Sequence, residues 1–149
     1  MYTLRSVQLT EEGGVTMNMR IALRLVVCEG PERRVPEKRG LFATFDIPAD
    51  TIILLAEDGA SAHQYNDIAY DMRLLTPSNG VAIMSGISQL ANTSPDPTDH
   101  NACFFTVTIP DRQRPFIVLA STRAIKAGQQ VVALYSPSYD VKGFQRITP

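Results

Sequence analysis

Short apolar runs alternate with turn-forming residues along most of the chain. The runs are rich in β-branched and aliphatic side chains, and most are followed by glycine, proline or acidic residues. Short runs of this composition, bounded by turn residues, predict β-strands. The predicted strands are residues 21–28, 41–45, 52–55, 104–109, 116–120 and 131–135. The pattern therefore indicates a β-rich fold.

One stretch has helical rather than strand spacing. Ile68, Met72 and Leu75 recur at three- and four-residue intervals, and Pro77 follows them. This spacing predicts one short helix within residues 60–75. Residues 76–98 mix glycine, serine, asparagine and proline with apolar residues and follow neither period. We expect that segment to be irregular and functional, as long irregular segments in compact domains usually are.

Two turns between apolar runs resemble each other. One is the sequence Ile-Pro-Ala-Asp-Thr at residues 47–51, and the other is Ile-Lys-Ala-Gly-Gln at residues 125–129. Pro48 fits the second position of a type I or II turn, and Gly128 can adopt a positive φ without strain. Because this sequence pattern occurs only twice, it predicts two similar corners in one domain rather than a solenoid.

Length and charge limit the classes of protein. The chain has 149 residues, 44% of them hydrophobic and 19% charged, with a formal charge of −1. This composition predicts one globular domain without the basic character typical of nucleic-acid binding. We expect residues 1–18 to be an N-terminal extension and residues 19–149 to be the domain. Because no apolar run has the length of a signal peptide or membrane span, we expect an intracellular protein.

Metal chemistry receives little support from the residue types. The two cysteines, Cys28 and Cys103, lie far apart in the sequence. This spacing excludes a cysteine-rich zinc site and favours two small buried apolar side chains. Asp96, Asp99 and His100 could hold a divalent cation. A solvated loop with aspartate turn bonding is the favoured interpretation, and we predict no metal site.

Three segments resemble the SET-domain family of protein-lysine methyltransferases, and they occur in the order of that family. Residues 39–53, RGLFATFDIPADTII, resemble its opening strand and turn. Residues 86–97, GISQLANTSPDP, resemble its Asn-His-Ser segment, and residues 123–135, RAIKAGQQVVALY, resemble its closing strand and tyrosine. Each match alone is common turn chemistry, whereas three in order are specific. In length the chain is most similar to the small viral SET proteins.

The resemblance implies a fold and an activity. The fold would be a β-rich SET-type arrangement of several short sheets and one or two short helices, with a threaded C-terminal segment. The activity would be transfer of a methyl group from S-adenosylmethionine to a lysine of a protein or peptide, with histone tails among the candidates. It implies neither a nucleic acid nor a membrane as direct partner. Either residues 140–149 or the second subunit of a homodimer would then cover the site.

The resemblance also implies roles for individual residues. Tyr135 corresponds to the closing tyrosine, whose hydroxyl lies near the transferred methyl group. Cofactor contacts are implied at Lys38, Arg39, Gly40, Asn92 and Thr93, and aromatic walls of the lysine channel at Tyr70 and Tyr139. Without the resemblance, Tyr135 is a half-buried sheet residue, Tyr70 packs in the core and Asn92 forms a turn.

The chain departs from the family pattern at several of these positions. Thr93 stands where the family has histidine, Lys38 stands where it has glycine, and Gln129-Gln130 replace its glutamate pair. Leu134 and Ser136 replace the residues on either side of the closing tyrosine. The alternatives are therefore a module that binds a peptide or protein partner without catalysis, or a scaffold that shares only turn chemistry with the family.

Overall fold

β-Strands dominate the part of the chain that the computed structural model describes. The described residues are 4–11, 16–33, 35–55, 73–75, 81–83, 86–108, 116–135 and 141–149. The strands are β1 (Leu4–Glu11), β2 (Thr16–Ala22), β3 (Val27–Pro31), β4 (Arg39–Ala43), β5 (Thr51–Leu55), β6 (Arg73–Leu75), β7 (Val81–Ile83), β8 (Ala102–Thr108), β9 (Phe116–Ser121) and β10 (Ala133–Leu134). Two 3-10 helices span Gly86–Leu90 and Pro97–Asp99. The predicted β-rich fold is confirmed.

The largest sheet has the strand order β1-β2-β5-β9-β8-β10. Strand β1 also pairs with the end of β8, so five of the strands form a closed ring of pairings. Most neighbours are antiparallel, whereas β2 pairs with β5 and β10 with β8 in parallel. β2 spans the boundary predicted between residues 18 and 19, and β1 belongs to the same sheet. The division into an extension and a domain stays a prediction.

Strands β3 and β4 form a separate antiparallel pair in which Gly30 lies opposite Gly40. The run predicted as one strand, residues 21–28, is divided between β2 and β3 by a bend at residues 23–24. Because side chains alternate along β3, Val27 faces the core and Cys28 faces outward. The expectation that Cys28 is buried is therefore wrong.

The predicted helix is wrong at its C-terminal end. Residues 73–75, which include Leu75, form strand β6 and pair antiparallel with β7. The sequence Asn79-Gly80 precedes β7, and this dipeptide is a strong hairpin signal that outweighs the spacing of three apolar residues. The rest of the predicted helix lies outside the described residues. No helix among the described residues is long and apolar enough to cross a membrane.

The core lies between the β3–β4 pair, the corners of the main sheet and the C-terminal strand. Its members are aliphatic side chains that are almost completely buried: Val26, Val27, Leu41, Ala43, Ile47, Ile53, Ala91, Ala102, Leu119, Ile125, Val131 and Ala133. Tyr135, Leu90 and Phe104 are among the partly buried side chains that pack against them. The core therefore positions the residues just before Asn92 and those just before Tyr135.

Candidate functional site

The closing strand brings Tyr135 to the segment that contains Asn92. The Tyr135 hydroxyl donates a hydrogen bond of 2.8 Å to the carbonyl oxygen of Ala91. The Ala133 amide donates to the Asn92 carbonyl over 2.8 Å, and Asn92 forms a parallel bridge with Val132. Two hydrogen bonds and this bridge thus join two segments about forty residues apart, and the phenol lies beside the backbone of Asn92.

The Asn92 side chain connects this segment to the opening turn. Its Nδ2 atom donates to the Arg39 carbonyl over 3.1 Å and to the Gln130 Oε1 atom over 3.2 Å. A primary amide has two hydrogens to donate, and both are used here. Among the described residues, no donor contacts the Asn92 Oδ1 atom. This oxygen is therefore the acceptor that the residue can offer to a ligand.

In the opening turn, which precedes and includes Arg39 and Gly40, local hydrogen bonds satisfy the backbone of Lys38. The Lys38 amide donates to the Val35 carbonyl, and the Lys38 carbonyl accepts from the Glu32 amide. Arg39 is exposed, and its Nε atom donates to Glu29 over 2.9 Å. Gly40 is buried, and a Cβ atom there would lie 2.8 Å from Gln130 Oε1. A side chain at this position would therefore push directly on Gln130.

Like Gly40, Thr93 is a buried member of the predicted cofactor contacts. It is 5% exposed, and Ser94, which follows it, is 2% exposed. The structure thus brings Arg39, Gly40, Asn92 and Tyr135 into one connected region through hydrogen bonds and Gln130. Lys38 precedes that region and faces solvent. Tyr70 and Tyr139 lie outside the described residues.

Asn101 holds the closing segment in place and was not identified from the sequence. Its side chain donates to the Gln130 carbonyl over 2.9 Å and accepts from the Val132 amide over 2.8 Å. Its backbone amide donates to the Val132 carbonyl. Since β10 also pairs with β8, the closing segment lies between residue 92 and β8. This is the arrangement expected of a threaded C-terminal segment.

The C-terminal residues dock directly after the Asn92-Thr93 pair. Arg146 forms a two-pronged ion pair with Asp99, at 2.9 and 3.1 Å, and a further contact with Asp96 at 3.1 Å. The Ser94 hydroxyl donates to Asp99 over 2.6 Å and accepts from the Ile147 amide over 3.2 Å. The tail therefore packs on residues 94–99, beside the candidate site.

The two aspartates that were considered as ligands of a divalent cation, Asp96 and Asp99, instead contact Arg146 of the C-terminal tail. Hydrogen bonds from Arg146 and Ser94 hold the pKa of Asp99 below its ordinary value, although burial opposes them. Asp96 caps the 3-10 helix that follows it, and the bonds from Thr98 lower its pKa. Aspartate turn bonding is thus confirmed at Asp96, whereas Asp99 is 3% exposed and not solvated. Across the described residues, no group of three or more His, Cys, Asp or Glu side chains could hold a metal ion.

Sequence comparison and structural comparison give different results. No protein-family model matches the chain, and no curated protein sequence matches it. The fold does match solved structures. A Plasmodium falciparum protein described as a candidate histone methyltransferase aligns with a TM-score of 0.53 at 16% identity. That alignment covers 78% of this chain and 98% of the other.

Two further structures show the same fold. ATXR5, solved in complex with mono-methylated histone H3.1, aligns with a TM-score of 0.59 at 15% identity over 83% of this chain and 60% of its own. The methyltransferase domain of human PR domain-containing protein 2 aligns with a TM-score of 0.51 at 15% identity, over 80% and 83% of the two chains. The chain therefore has the fold of the SET-domain methyltransferases, and the predicted resemblance is confirmed at the level of the fold. The similarity in length to viral members stays a prediction.

Proposed function

We propose that the protein transfers a methyl group from S-adenosylmethionine to a lysine side chain of a protein or peptide. The observation that carries the proposal is the convergence of Tyr135 and Asn92, the two residues with the clearest counterparts in the family motifs, through the carbonyl of Ala91. A protein substrate is supported by the neighbour ATXR5, which was solved in complex with histone H3.1. Histone-tail peptides are accordingly the first substrates to test.

The donor and acceptor chemistry of Asn92 fits the proposed cofactor. Asn92 can accept but not donate a further hydrogen bond, because Arg39 and Gln130 take both of its amide hydrogens. S-adenosylmethionine carries N–H donors on its ammonium and adenine amino groups, and either matches this oxygen. Asn92, Thr93 and the backbone of residues 38–40 would hold it. When bound, it supplies an electrophilic methyl group on a sulfonium.

Tyr135 would act at the reacting centre because its phenol is already oriented. The bond to Ala91 fixes the hydroxyl direction before any ligand arrives, so no reorganisation is needed at the moment of reaction. The lysine must be neutral to attack, and apolar surroundings favour the neutral amine. Ala91 and Ala133 are completely buried beside Tyr135, and Tyr70 and Tyr139 are proposed as further walls of the channel.

The test has a binding step and a transfer step. Isothermal titration calorimetry with S-adenosylmethionine measures binding, and mass spectrometry of histone-tail peptides measures methylation of lysine. Tyr135→Phe is expected to retain S-adenosylmethionine binding and to lower turnover by about tenfold or more. Asn92→Ala is expected to lose binding.

Asn18→Ala is the matched control, since Asn18 is exposed on β2 and outside the proposed site. It should bind and turn over like the wild type. Unchanged turnover in Tyr135→Phe would remove this residue from the mechanism, and absence of binding to the wild-type protein would end the proposal.

A second candidate function rests on Thr93. A buried threonine stands at the position where the family has histidine, so the ring that the resemblance implies at this position of the cofactor site is missing. A fold that lost cofactor affinity in this way would act by binding a peptide or protein partner alone. Peptide binding that is equally strong with and without S-adenosylmethionine, together with no transfer, would support this candidate instead.

A further inference from the structure

Two buried polar side chains behind Asn92 form a hydrogen-bonded chain. Gln130 is 4% exposed and Glu32 is 5% exposed. The Gln130 Nε2 atom donates to Glu32 Oε1 over 3.3 Å, and the other carboxylate oxygen accepts from the Val35 amide over 3.0 Å. This series of hydrogen bonds runs from Glu32 through Gln130 to Asn92 and ends at the carbonyl of Arg39.

The acceptors at the two ends fix the orientation of both amides between them. A backbone carbonyl only accepts, so Asn92 must turn its NH₂ group toward Arg39. That NH₂ group also faces Gln130, which must therefore present its carbonyl oxygen to Asn92. Gln130 then presents its own NH₂ group to Glu32, whose Oε1 atom accepts the hydrogen bond. Reversing either amide would place donor against donor or acceptor against acceptor.

We propose that Gln130 and Glu32 are positioning residues that hold the Asn92 side chain with Oδ1 presented to an N–H donor of S-adenosylmethionine. This inference rests on the proposed function for the identity of the ligand. The orientation of Asn92 itself follows from the protein contacts alone.

Glu32 also gives a physical reason for glutamine at position 130, where the family resemblance has glutamate. Two carboxylates 3.3 Å apart in a buried site repel each other, and one of them must take up a proton. The carboxyl group belongs to residue 32 in this protein and both of its oxygens accept hydrogen bonds, so a neutral donor is needed opposite it. A glutamate at position 130 with a glutamine at position 32 would satisfy the same bonds.

The experiment is a charge exchange between the two positions. Gln130→Glu places two carboxylates together, and Glu32→Gln leaves an NH₂ group facing either Val35 or Gln130, both of which are donors. Each single variant is expected to weaken S-adenosylmethionine binding about tenfold or more by calorimetry. The double variant should restore it to within about threefold of the wild type.

Gln129→Glu is the matched control. Gln129 is half-buried, and its Oε1 accepts from the Lys126 amide, a role that a carboxylate keeps. A ligand-free readout accompanies the titrations: the NMR resonances of the Asn92 side-chain NH₂ group should shift in Gln130→Glu and return in the double variant. Binding in the double variant that is as weak as in the single variants would overturn the inference.

The two proposals fail in different ways. If the wild type does not bind S-adenosylmethionine but the Asn92 resonances shift and return, the proposed function fails and the positioning role of Gln130 and Glu32 stands. If the resonances do not move in Gln130→Glu, the positioning role is wrong, whatever the protein binds.

Discussion

Ile47 and Ile125 exchange both of their backbone hydrogen bonds, at 2.7 and 2.8 Å, and each side chain is almost completely buried. They occupy the same position in the two corners whose sequences resemble each other. Three residues later, Asp50 and Gly128 both adopt a positive φ, of 56° and 87°. The echo in the sequence thus corresponds to two similar corners that pair with each other at the core.

Substitutions at the equivalent positions of the two corners, Gly128 and Asp50, are expected to differ in their effect on stability. Gly128→Ala is expected to lower the free energy of unfolding by about 1 kcal/mol, because an L side chain is strained at this φ. A Cβ atom at Gly128 would meet nothing within 4 Å, so no steric clash adds to that cost. Urea denaturation measures the effect.

Asp50→Gly is the companion variant. Relief of the strained φ is offset by the greater freedom of glycine in the unfolded chain, so the change should stay within about 0.5 kcal/mol. A large loss in Asp50→Gly, or none in Gly128→Ala, would contradict the interpretation of the two corners as conformationally equivalent.

Substitution of the buried Asn101 is expected to lower the free energy of unfolding substantially. Asn101→Ala removes the partners of the Gln130 carbonyl and the Val132 amide, both inside the core. Two unsatisfied backbone groups should cost roughly 2–4 kcal/mol, read from the same urea curves.

Asn101→Asp tests the donor role of the Asn101 side chain separately from its acceptor role. It keeps an acceptor for Val132 but turns a carboxylate oxygen toward the Gln130 carbonyl, so it should also destabilise the fold. Asn18→Ala, on the exposed side of β2, should change stability by less than about 0.5 kcal/mol. A mild effect of both Asn101 variants would show that the closing segment is held by other contacts.

Features of the fold that have a local signal in the sequence could be predicted from it. Strands such as β5 and β9 were predicted because their signal is local: short apolar runs between turn residues. Gly128 was recognised because a turn with a positive φ has its own local chemistry. The resemblance to a known family then located Asn92 and Tyr135, whose meeting depends on the whole fold.

The remaining residues carry no local signal. Glu32 lies in a charged segment that contains two prolines, and its partner Gln130 is 98 residues away. Asn101 looks like an ordinary polar residue before a strand until the closing segment packs against it. Burial of a polar side chain is decided by partners that are distant in sequence, so composition and periodicity could not have identified either residue.

Docking of the C-terminal tail predicts a dependence on pH. Asp99 has a lowered pKa in the folded protein, because Arg146 and Ser94 donate to its carboxylate. Its stabilising contribution is therefore complete above the ordinary pKa of 3.8 and is lost as pH falls through the lower folded value.

The corresponding measurement compares melting temperatures of wild type and Asp99→Asn. The difference should be largest near pH 6 and should shrink toward about pH 2. Arg146→Ala should reduce this dependence on pH, whereas Gln145→Ala, on an exposed residue of the same tail, should leave it unchanged. A difference that is constant with pH would mean that the Asp99 charge does not hold the tail.

Gly40 and Gly30 lie opposite each other on β4 and β3 and provide a matched pair of substitutions for the site. A Cβ atom at Gly40 would lie 2.8 Å from Gln130 Oε1 and 3.2 Å from the Phe42 ring, whereas the three atoms nearest to one at Gly30 all belong to the Phe42 ring, the first at 3.0 Å. Gly40→Ala should therefore displace the Gln130 amide from Asn92 and weaken S-adenosylmethionine binding several-fold. Gly30→Ala should cost stability through Phe42 and leave binding unchanged, because the atoms nearest to its added Cβ belong to Phe42 and not to Gln130. Calorimetric titration of both variants at matched temperature distinguishes these effects, and an equal loss of affinity in both would show that packing on Phe42, rather than Gln130, controls the site.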